Sequence, residues 1–425
     1  MRLLFALNSA AGGATLSAID AMSELQRRGH TCYAVVDPTG DEGAMGLVRH
    51  ACMDTIKVRM PWWNRKYRSL WYKRPVHLVR EALTSGLHIG SIRRLACIYE
   101  RWQIDVVHSN TSLTIHPALA AKYMGIPHVW HIRELVGNDA LFRFCLPDRW
   151  LANTFLSLSD AVIANSKQTQ RFFTRLNCDD RVEVVYNGID NETFAHADNA
   201  LEYRALWNIS DDNILVGMIA NVTSHMKRHD TFICMAATVL HSIPKARFVI
   251  VGYDPDTAGG GRREVLYSRR LKALAAEHGI QNHLIWAGKS DDIAGVMQAL
   301  DIVVHPAGEE SFGRVGAEAM AAGKPIVAAK EGGIGEVVTN NIAGLLVSEN
   351  DTAGFANSVI RLIHDPELRL SLGAGGQLRA ANLFTVSRMT DALEDIYRRV
   401  VKGRANANPM SQSPDRAARA ESVTQ

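Results

Sequence analysis

The chain has 425 residues, of which 47% are hydrophobic and 21% are charged, and this length and composition predict a globular protein with two domains. The formal net charge of +3 is small for a chain of this length, so no nucleic-acid partner is expected. The six cysteines form no CxxC pair and no Cys/His cluster, which predicts reduced thiols in a cytoplasmic protein.

The first half of the chain alternates short apolar segments with helical patterns. Its start, MRLLFALNSAAGG, is apolar for too short a run to be a signal peptide and predicts a first strand instead. No run of eighteen apolar residues predicts a membrane-spanning helix. A helix is predicted over Ser17–Arg28, and strands are predicted at residues 2–7, 31–37, 105–110, 128–132, 161–165 and 182–187.

The second half repeats this alternation. Helices are predicted over Leu271–His278 and Val315–Ala322, and strands at residues 214–221, 247–252, 284–288, 301–306, 325–329 and 344–347. Most of these segments are rich in β-branched residues and lack period-two alternation, as expected for strands buried on both faces of a parallel sheet. The predicted fold class is therefore α/β, with two doubly wound, Rossmann-like domains.

The domain boundary is predicted at the polar stretch NGIDNETF, residues 187–194, which follows the last strand of the first set. We expect an N-terminal domain over residues 1–185, a C-terminal domain over 186–385, and a last helix over 386–402 that joins the N-terminal domain. The remainder, 403–425, is rich in Ala, Ser, Asn and Arg without apolar periodicity, and is predicted to be a disordered tail.

The stretch EESFGRVGAE follows the strand DIVVHP and therefore lies at the carboxyl end of a strand, where doubly wound sheets bind their ligands. Phe312 and Gly313 are predicted to open a helix that runs to Ala322, with Gly323 as its C-terminal stop. Unpaired backbone N–H groups at such a helix start can bind a diphosphate.

Two glutamates flank this anion site, Glu310 before the helix and Glu318 within it. A carboxylate repels phosphate but accepts hydrogen bonds from paired hydroxyls. Glu318 is therefore predicted to hold a ribose and Glu310 the sugar at the other end of the diphosphate, which together describe a nucleotide sugar. Lys227, in VTSHMKRHD after the strand at 214–221, is the candidate phosphate contact.

With these residues in place, the chain resembles the retaining glycosyltransferases of family 4, which have the GT-B fold of two Rossmann-like domains facing each other across a cleft. EESFGRVGAE matches the E-x7-E signature of that family, and the resemblance extends over most of the chain. The other matching segments are NSAAGGAT, WHIREL, SDAVIANSKQTQRFF, VYNGID, the Lys227 loop and KEGGIGEVV.

The resemblance implies roles for individual residues. Gly12 and Gly13 would pass close to the donor phosphate and the acceptor, and His131 would lie near the transferred sugar. Catalysis is assigned to Lys227, Glu310 and His131, and donor binding to Gly12, Gly13, Asn221, Arg228, Ser311, Phe312, Gly313, Arg314, Val315 and Glu318.

One position departs from the family pattern. Many members carry an arginine five or six residues before the lysine, where this chain has Val222 and Asn221. Either Arg228 substitutes for that arginine or the neutralisation of the diphosphate is weaker. No metal ion or other cofactor is expected, and the metal-like DPD at 254–256 is interpreted as a loop.

The expected activity is transfer of a sugar from a UDP- or GDP-linked donor to a hydroxyl of a sugar or polyprenyl-linked acceptor, in cell-surface polysaccharide or lipid-linked glycan synthesis. Three alternatives remain. A non-catalytic sugar-nucleotide-binding module would bind donor without turnover, and a nucleotide-sugar epimerase would convert donor without acceptor. A dehydrogenase is disfavoured because Gly12–Gly13 and Asp37 are not accompanied by a GxGxxG motif.

The stretch KVRMPWWNRKYRSLWYKRPVHLVR, residues 57–80, carries eight basic residues, three tryptophans and no acid. It is interpreted as an anionic-membrane contact of a peripheral cytoplasmic protein on the inner membrane, as a binding segment for a phosphorylated acceptor, or as a basic loop over the acceptor site. A solvated loop with buried tryptophans is the structural alternative.

Overall fold

A computed structural model describes residues 1–8, 12–38, 42–65, 88–137, 143–144 and 146–407. The described part of the first half contains nine strands. They are β1 (Arg2–Leu7), β2 (Thr31–Val36), β3 (Asp54–Lys57), β4 (Asn64–Arg65), β5 (Val106–Ser109), β6 (His128–Ile132), β7 (Arg143–Phe144), β8 (Ala161–Ala164) and β9 (Val182–Val184).

Seven of these strands form a parallel sheet in the order β3-β2-β1-β5-β6-β8-β9. The other two, β4 and β7, pair antiparallel. The helices described around this sheet are α1 (Gly13–Arg27), α2 (Glu42–His50), α3 (Ile89–Arg101), α4 (His116–Met124), α5 (Asp148–Leu158) and α6 (Lys167–Thr174).

The second half forms a second parallel sheet in the order β12-β11-β10-β13-β14-β15. Its strands are β10 (Leu215–Ile219), β11 (Arg247–Val251), β12 (Leu284–Gly288), β13 (Ile302–His305), β14 (Ile326–Ala329) and β15 (Gly344–Val347). Strands β10, β13 and β14 are buried along their whole length, which explains why their sequences lack polar alternation.

The helices after β9 are α7 (Asn191–Ala195), α8 (Ala200–Leu206), α9 (His229–Ser242), α10 (Pro255–Ala258), α11 (Arg262–Glu277), α12 (Ile293–Ala299), α13 (Arg314–Ala321), α14 (Gly332–Val337), α15 (Thr352–His364), α16 (Pro366–Leu383) and α17 (Val386–Ala407). Across the described ranges, no helix combines the length and the apolar character needed to cross a membrane.

In both sheets the strand order reverses beside the first strand, between β1 and β5 and between β10 and β13. A doubly wound sheet opens a crevice at this point, at the carboxyl ends of its strands. The loop with Gly12 follows β1, the turn with Lys227 follows β10, and the loop with Glu310 follows β13. The topology therefore brings the predicted site segments to the crevices of the two sheets.

The α/β prediction is confirmed, as are all twelve predicted strands to within two or three residues at either end. Sequence analysis missed three short strands. β3 lies at the sheet edge, and β4 and β7 contribute two residues each, too few to show a periodic pattern. Helix α1 begins at Gly13, four residues before the predicted Ser17, because the apolar periodicity starts only after its first turn.

The predicted start of the disordered tail was wrong. Helix α17 continues to Ala407, through the first residues of the segment that was predicted to be disordered. Its last turns are held by Arg404, whose Nε and Nη2 donate to the Asp160 carboxylate at 2.7 and 3.0 Å. Residues 408–425, the rest of the predicted tail, lie outside the described residues.

The C-terminal helix packs on the N-terminal sheet rather than on the sheet that precedes it in sequence. Leu393, Ile396 and Tyr397 of α17 belong to the same hydrophobic core as Phe5 of β1. The Tyr397 hydroxyl lies 2.8 Å from Nδ1 of the buried His108. The chain therefore crosses from the second domain back to the first, and the two domains are connected twice.

This packing predicts that Leu393→Ala lowers the free energy of unfolding by about 2–5 kcal/mol, because it leaves a cavity in a core that is shared by β1 and α17. Chemical denaturation followed by circular dichroism measures the change. The matched control is Leu378→Ala, since Leu378 of α16 is 66% exposed and its truncation is expected to change the same free energy by no more than about 0.5 kcal/mol. Equal effects of the two substitutions would contradict the packing described.

Candidate active site

A cavity of about 320 Å³ lies between the two domains. The N-terminal domain lines it with residues 133–137, with Asp148, with one face of α6 and with Arg175 and Leu176 just beyond that helix. The C-terminal domain lines it with Met226, Lys227 and residues 309–311. The carboxyl ends of both sheets therefore contribute to one cleft.

Two of the predicted catalytic residues meet in this cavity. Lys227 ends a short 3₁₀ turn, His225–Lys227, that follows β10, and its Nζ forms an ion pair with Oε1 of Glu310. His305, at the end of β13, places Nε2 3.2 Å from the same oxygen. Burial alone would raise the pKa of Glu310, but the Lys227 ammonium and the His305 hydrogen bond hold that pKa well below its ordinary value.

The helix that follows Glu310 opens as predicted. Gly313 is the N-cap of α13 with φ +85°, and a Cβ at that position would lie 2.6 Å from Cδ1 of Ile334. Only glycine fits such a turn. No side chain of the described residues caps this helix, so its first N–H groups are available to an anion. The Phe312 side chain does not face the cavity, since it is buried in the C-terminal core.

Glu318 lies in a second group of charges at the α1 side of the cleft. Arg314 donates from Nε to Glu318 at 2.6 Å and from Nη1 to Asp20 of α1 at 2.9 Å. Gly13 is adjacent, because a Cβ placed there would lie 3.8 Å from Cδ of Arg314. The structure therefore brings the Gly12–Gly13 turn beside Arg314 and Glu318. The assignment of Glu318 to a ribose stays a prediction.

The start of helix α6 contacts the C-terminal domain directly. Ser166 donates its hydroxyl to the Ser311 carbonyl, and Asn165 donates from Nδ2 to the Ser311 hydroxyl at 3.3 Å. Glu336 of α14 accepts from the backbone N–H groups of Lys167 and Gln168 at 3.0 and 3.1 Å. A carboxylate from one domain therefore caps a helix of the other, where the helix dipole favours negative charge.

His131 lies behind the cavity wall, and its expected position near the transferred sugar stays a prediction. Its side chain is fully buried in β6, packs 5.3 Å from the His108 ring and does not line the cavity. Burial holds the pKa of His131 well below its ordinary value. The residue of the WHIREL segment that does line the cavity is Arg133, directly beyond the strand end. His131 lies within β6 and is packed inside the domain, whereas Arg133 lies beyond the end of the strand.

Arg228 does not replace the missing arginine in this structure. Its Nη2 donates to the Glu349 carbonyl at 3.2 Å and to Asn350 Oδ1 at 2.6 Å, and the residue does not line the cavity. Asn221 likewise has a structural contact, since its Oδ1 accepts from the backbone N–H of Tyr253 at 2.9 Å. The half-buried Val315 packs against the C-terminal core.

The carboxylates that had suggested other functions are occupied. Asp37 accepts from the Met60 N–H at 2.6 Å. In the DPD segment, Asp254 and Asp256 form ion pairs with Lys272 at 2.8 and 3.0 Å, and the segment begins the short helix α10 rather than a plain loop. Within the described ranges, no group of three or more His, Cys, Asp or Glu residues is arranged to hold a metal ion.

Sequence analysis missed two residues of this site. Arg133 was overlooked although it is the first residue after a strand that ends at the cleft, which is a usable signal for a ligand-facing side chain. Glu336 lies in the matching segment KEGGIGEVV but was given no role in the site, whereas it caps α6 of the other domain. No local pattern predicts that contact, because it depends on how the domains face each other.

Two family models match the chain and together cover most of it. The model described as Glycosyltransferase Family 4 matches residues 11–193, and the one described as Glycosyl transferases group 1 matches residues 200–379. Two similar curated proteins are the D-inositol 3-phosphate glycosyltransferases of Saccharomonospora viridis and Frankia alni. They are 30% and 33% identical, and the matches cover 75% and 69% of this chain and 74% of each relative.

Among solved structures, that of Anabaena HepE in complex with UDP-glucose is similar to this chain. The two superpose with a TM-score of 0.75 at 22% identity, covering 94% of this chain and 100% of the other. The sucrose-phosphate synthase of Thermosynechococcus elongatus has a TM-score of 0.70 at 18% identity and covers 95% of this chain and 100% of its own. This agreement at low sequence identity shows the fold, two Rossmann-like domains facing a cleft.

The cap on α6 predicts that Glu336→Ala speeds amide hydrogen exchange at Lys167 and Gln168 about fivefold or more, the equivalent of ~1 kcal/mol for a lost N-cap. Mass-spectrometric exchange measures it. The matched control is Asp351→Ala, which removes the cap of α15 within the C-terminal domain and should speed exchange only there. Unchanged exchange at residues 167–168 in the Glu336 variant would contradict an interdomain cap.

The low pKa of Glu310 predicts a specific pH dependence of stability. A carboxyl whose folded-state pKa is depressed stabilises the folded protein above its unfolded-state value, near 4.5, and loses that contribution as pH falls below it. The stability advantage of the natural chain over Glu310→Gln should therefore shrink below pH 4.5, by on the order of 1 kcal/mol per pH unit. Denaturation at several pH values measures it. Glu309→Gln, at an exposed neighbouring carboxylate, is the control, and parallel curves for the Glu310 variant would refute the assignment.

Proposed function

The chain belongs to glycosyltransferase family 4, and on that premise we propose that it is a retaining hexosyltransferase that uses a UDP-linked donor. The observation that carries the proposal is the Lys227–Glu310 ion pair in the interdomain cavity, directly before the uncapped N-terminus of α13. A cation and free N–H groups suit a diphosphate, and a carboxylate between them suits sugar hydroxyls.

The choice of base is supported by the solved structure of HepE with UDP-glucose, a protein with the same fold. In this proposal the diphosphate lies at the start of α13 and against Lys227. The hexose lies near Glu310, and the ribose near Glu318. Gly12 and Gly13 let the α1 turn approach the donor. Gly12 has φ +104°, and among the described residues only Cδ of Arg314 lies within 4 Å of a Cβ built at either position.

The proposed mechanism is electrostatic stabilisation of the leaving group. As the glycosidic bond to phosphate breaks, negative charge grows on the diphosphate, and Lys227 and the α13 N-terminus stabilise it without reorganising. Glu310 positions the sugar, because its depressed pKa keeps it ionised and its ion pair with Lys227 makes it a poor nucleophile. The acceptor hydroxyl attacks from the face that the diphosphate leaves and passes its proton to the departing phosphate.

The proposed acceptor is a hydroxyl of a polar, anionic or lipid-linked molecule. The curated relatives are named for an inositol phosphate acceptor, and the cavity rim carries the exposed Arg171 of α6 and the exposed Arg175 just beyond that helix. A role in polysaccharide or lipid-linked glycan synthesis, in the cytoplasm and on the membrane surface, is part of the same proposal. The basic segment 57–80 that motivates the membrane contact lies outside the described residues from position 66 onward.

A donor panel tests the proposal. UDP-, GDP- and ADP-linked hexoses are scored for thermal stabilisation and for slow release of nucleoside diphosphate, with and without EDTA, since no metal is expected to be required. We expect UDP-hexose to stabilise the protein and to be hydrolysed slowly. Stabilisation without turnover, with acceptors added, would indicate a binding module. Conversion of the donor into a different sugar nucleotide, without acceptor, would indicate an epimerase.

We predict that Lys227→Met slows donor turnover on the order of 10²- to 10³-fold, because it removes the cation nearest the leaving group. The matched control is Lys245→Met, since Lys245 is an exposed lysine of the same domain that pairs with Asp212 at 3.3 Å. Nucleoside diphosphate release measures both. Equal turnover in the two variants would overturn the role of Lys227.

A further inference from the structure

Arg133 is a buried cation with an unused donor. It is 4% exposed and lines the interdomain cavity. Its Nε donates to Asn110 Oδ1 at 2.7 Å, and its Nη1 donates to Asn187 Oδ1. Nη2 is buried and has no hydrogen-bond partner among the described residues. Buried polar groups of folded proteins are normally paired, so this donor needs an explanation.

The Arg133 guanidinium also has no ion pair. Both of its partners are neutral amides, and no ion pair joins it to a carboxylate of the described residues. The adjacent Glu134 lines the same cavity, but its oxygens accept from Thr111 at 2.6 Å, from Ser112 at 2.8 Å and from the backbone N–H of Arg133 at 3.3 Å. Burial lowers the pKa of Arg133 to about 9, despite the nearby Glu134 charge. A buried, unpaired charge is costly unless a ligand compensates it.

The wall that the C-terminal domain contributes to the cavity is short of positive charge. Lys227 faces the same space, but Glu310 already offsets its charge. The family position for a second cation holds Asn221 or Val222, and Arg228 is engaged by residues 349–350. The C-terminal domain by itself therefore presents little net positive charge to a diphosphate. Arg171 and Arg175 lie at the rim of the cavity and are exposed to solvent.

We propose that Arg133 binds an anionic oxygen of the donor diphosphate through Nη2 and so supplies the second cation of the leaving-group site from the N-terminal domain. The inference rests on the proposed function. Asn110 and Asn187 orient the guanidinium beforehand without neutralising it, which is the arrangement expected of a preorganised anion ligand. The phosphate site is then complete only when the two domains face each other, which couples domain arrangement to catalysis.

The test measures the affinity of UDP, UMP and uridine for the natural chain, Arg133→Met and Arg133→Lys by calorimetry. We expect Arg133→Met to weaken UDP binding on the order of 10- to 100-fold, as for loss of a charge-assisted hydrogen bond, and to leave uridine binding within about twofold. Arg133→Lys should restore part of the UDP affinity. Arg399→Met, which removes an exposed arginine paired with Glu183, is the charge-matched control and should bind UDP normally.

Three other results would overturn the inference. Parallel loss of uridine and UDP affinity would mean that Arg133 only supports the fold. Unchanged UDP affinity with a raised KM for a phosphorylated acceptor would assign Arg133 to the acceptor's anion. Unchanged affinity for UDP and unchanged KM for the acceptor would remove Arg133 from the site. If the natural chain binds none of UDP, GDP and ADP, the proposed function itself is wrong. That failure is distinguishable from failure of the Arg133 inference, because it is seen with the natural chain alone.

Discussion

Parallel strands all end at one edge of their sheet, and the site described here depends on that constraint. Each sheet reverses its strand order beside its first strand, which opens a crevice at the carboxyl ends of the strands. The loops that leave β1, β5, β6 and β8 therefore meet those that leave β10 and β13. Residues far apart in sequence, such as Arg133, Lys227 and Glu310, come to line one cavity in this way. The helices that pack on both faces of each sheet hold its strands, and therefore that edge, in position.

The cleft resolves an apparent contradiction in its charges. Two glutamates border a site suited to an anion, and in the structure each has a cation within hydrogen-bond reach, Lys227 for Glu310 and Arg314 for Glu318. The paired cation reduces the negative potential that each carboxylate spreads over the helix start. Arg133 differs from both glutamates, since it is buried beside the cavity and its side chain is held by two neutral amides instead of an opposite charge.

The two domains are held together by contacts that also border the site. Ser311 accepts hydrogen bonds from the start of α6, and Glu336 caps that helix from the other side. Helix α17 returns the chain to the N-terminal core, where Arg28 and His30 bind Glu394 at 3.1 and 2.6 Å. The residues nearest the cavity thus have two roles: they border the proposed substrate site, and they set the spacing between the two domains. A change in domain spacing would alter the cavity through the same groups.

The sequence by itself determined the α/β class, the order of the strands along the chain and the choice of the Lys227 and Glu310 loops as site segments, because buried apolar segments and residues next to strand ends are local signals. The ion pair between Lys227 and Glu310 appears only in the structure. The sequence also located the glycine turn at Gly313. It did not show that Arg133, beyond the end of β6, lines the cavity while His131, within the strand, does not. That difference depends on how the end of β6 packs in the domain. Nor could the sequence place Glu336 on α6, extend α17 to Ala407 or turn Arg228 away from the cleft. Those outcomes depend on contacts between segments far apart in sequence, and only the tertiary structure decides them.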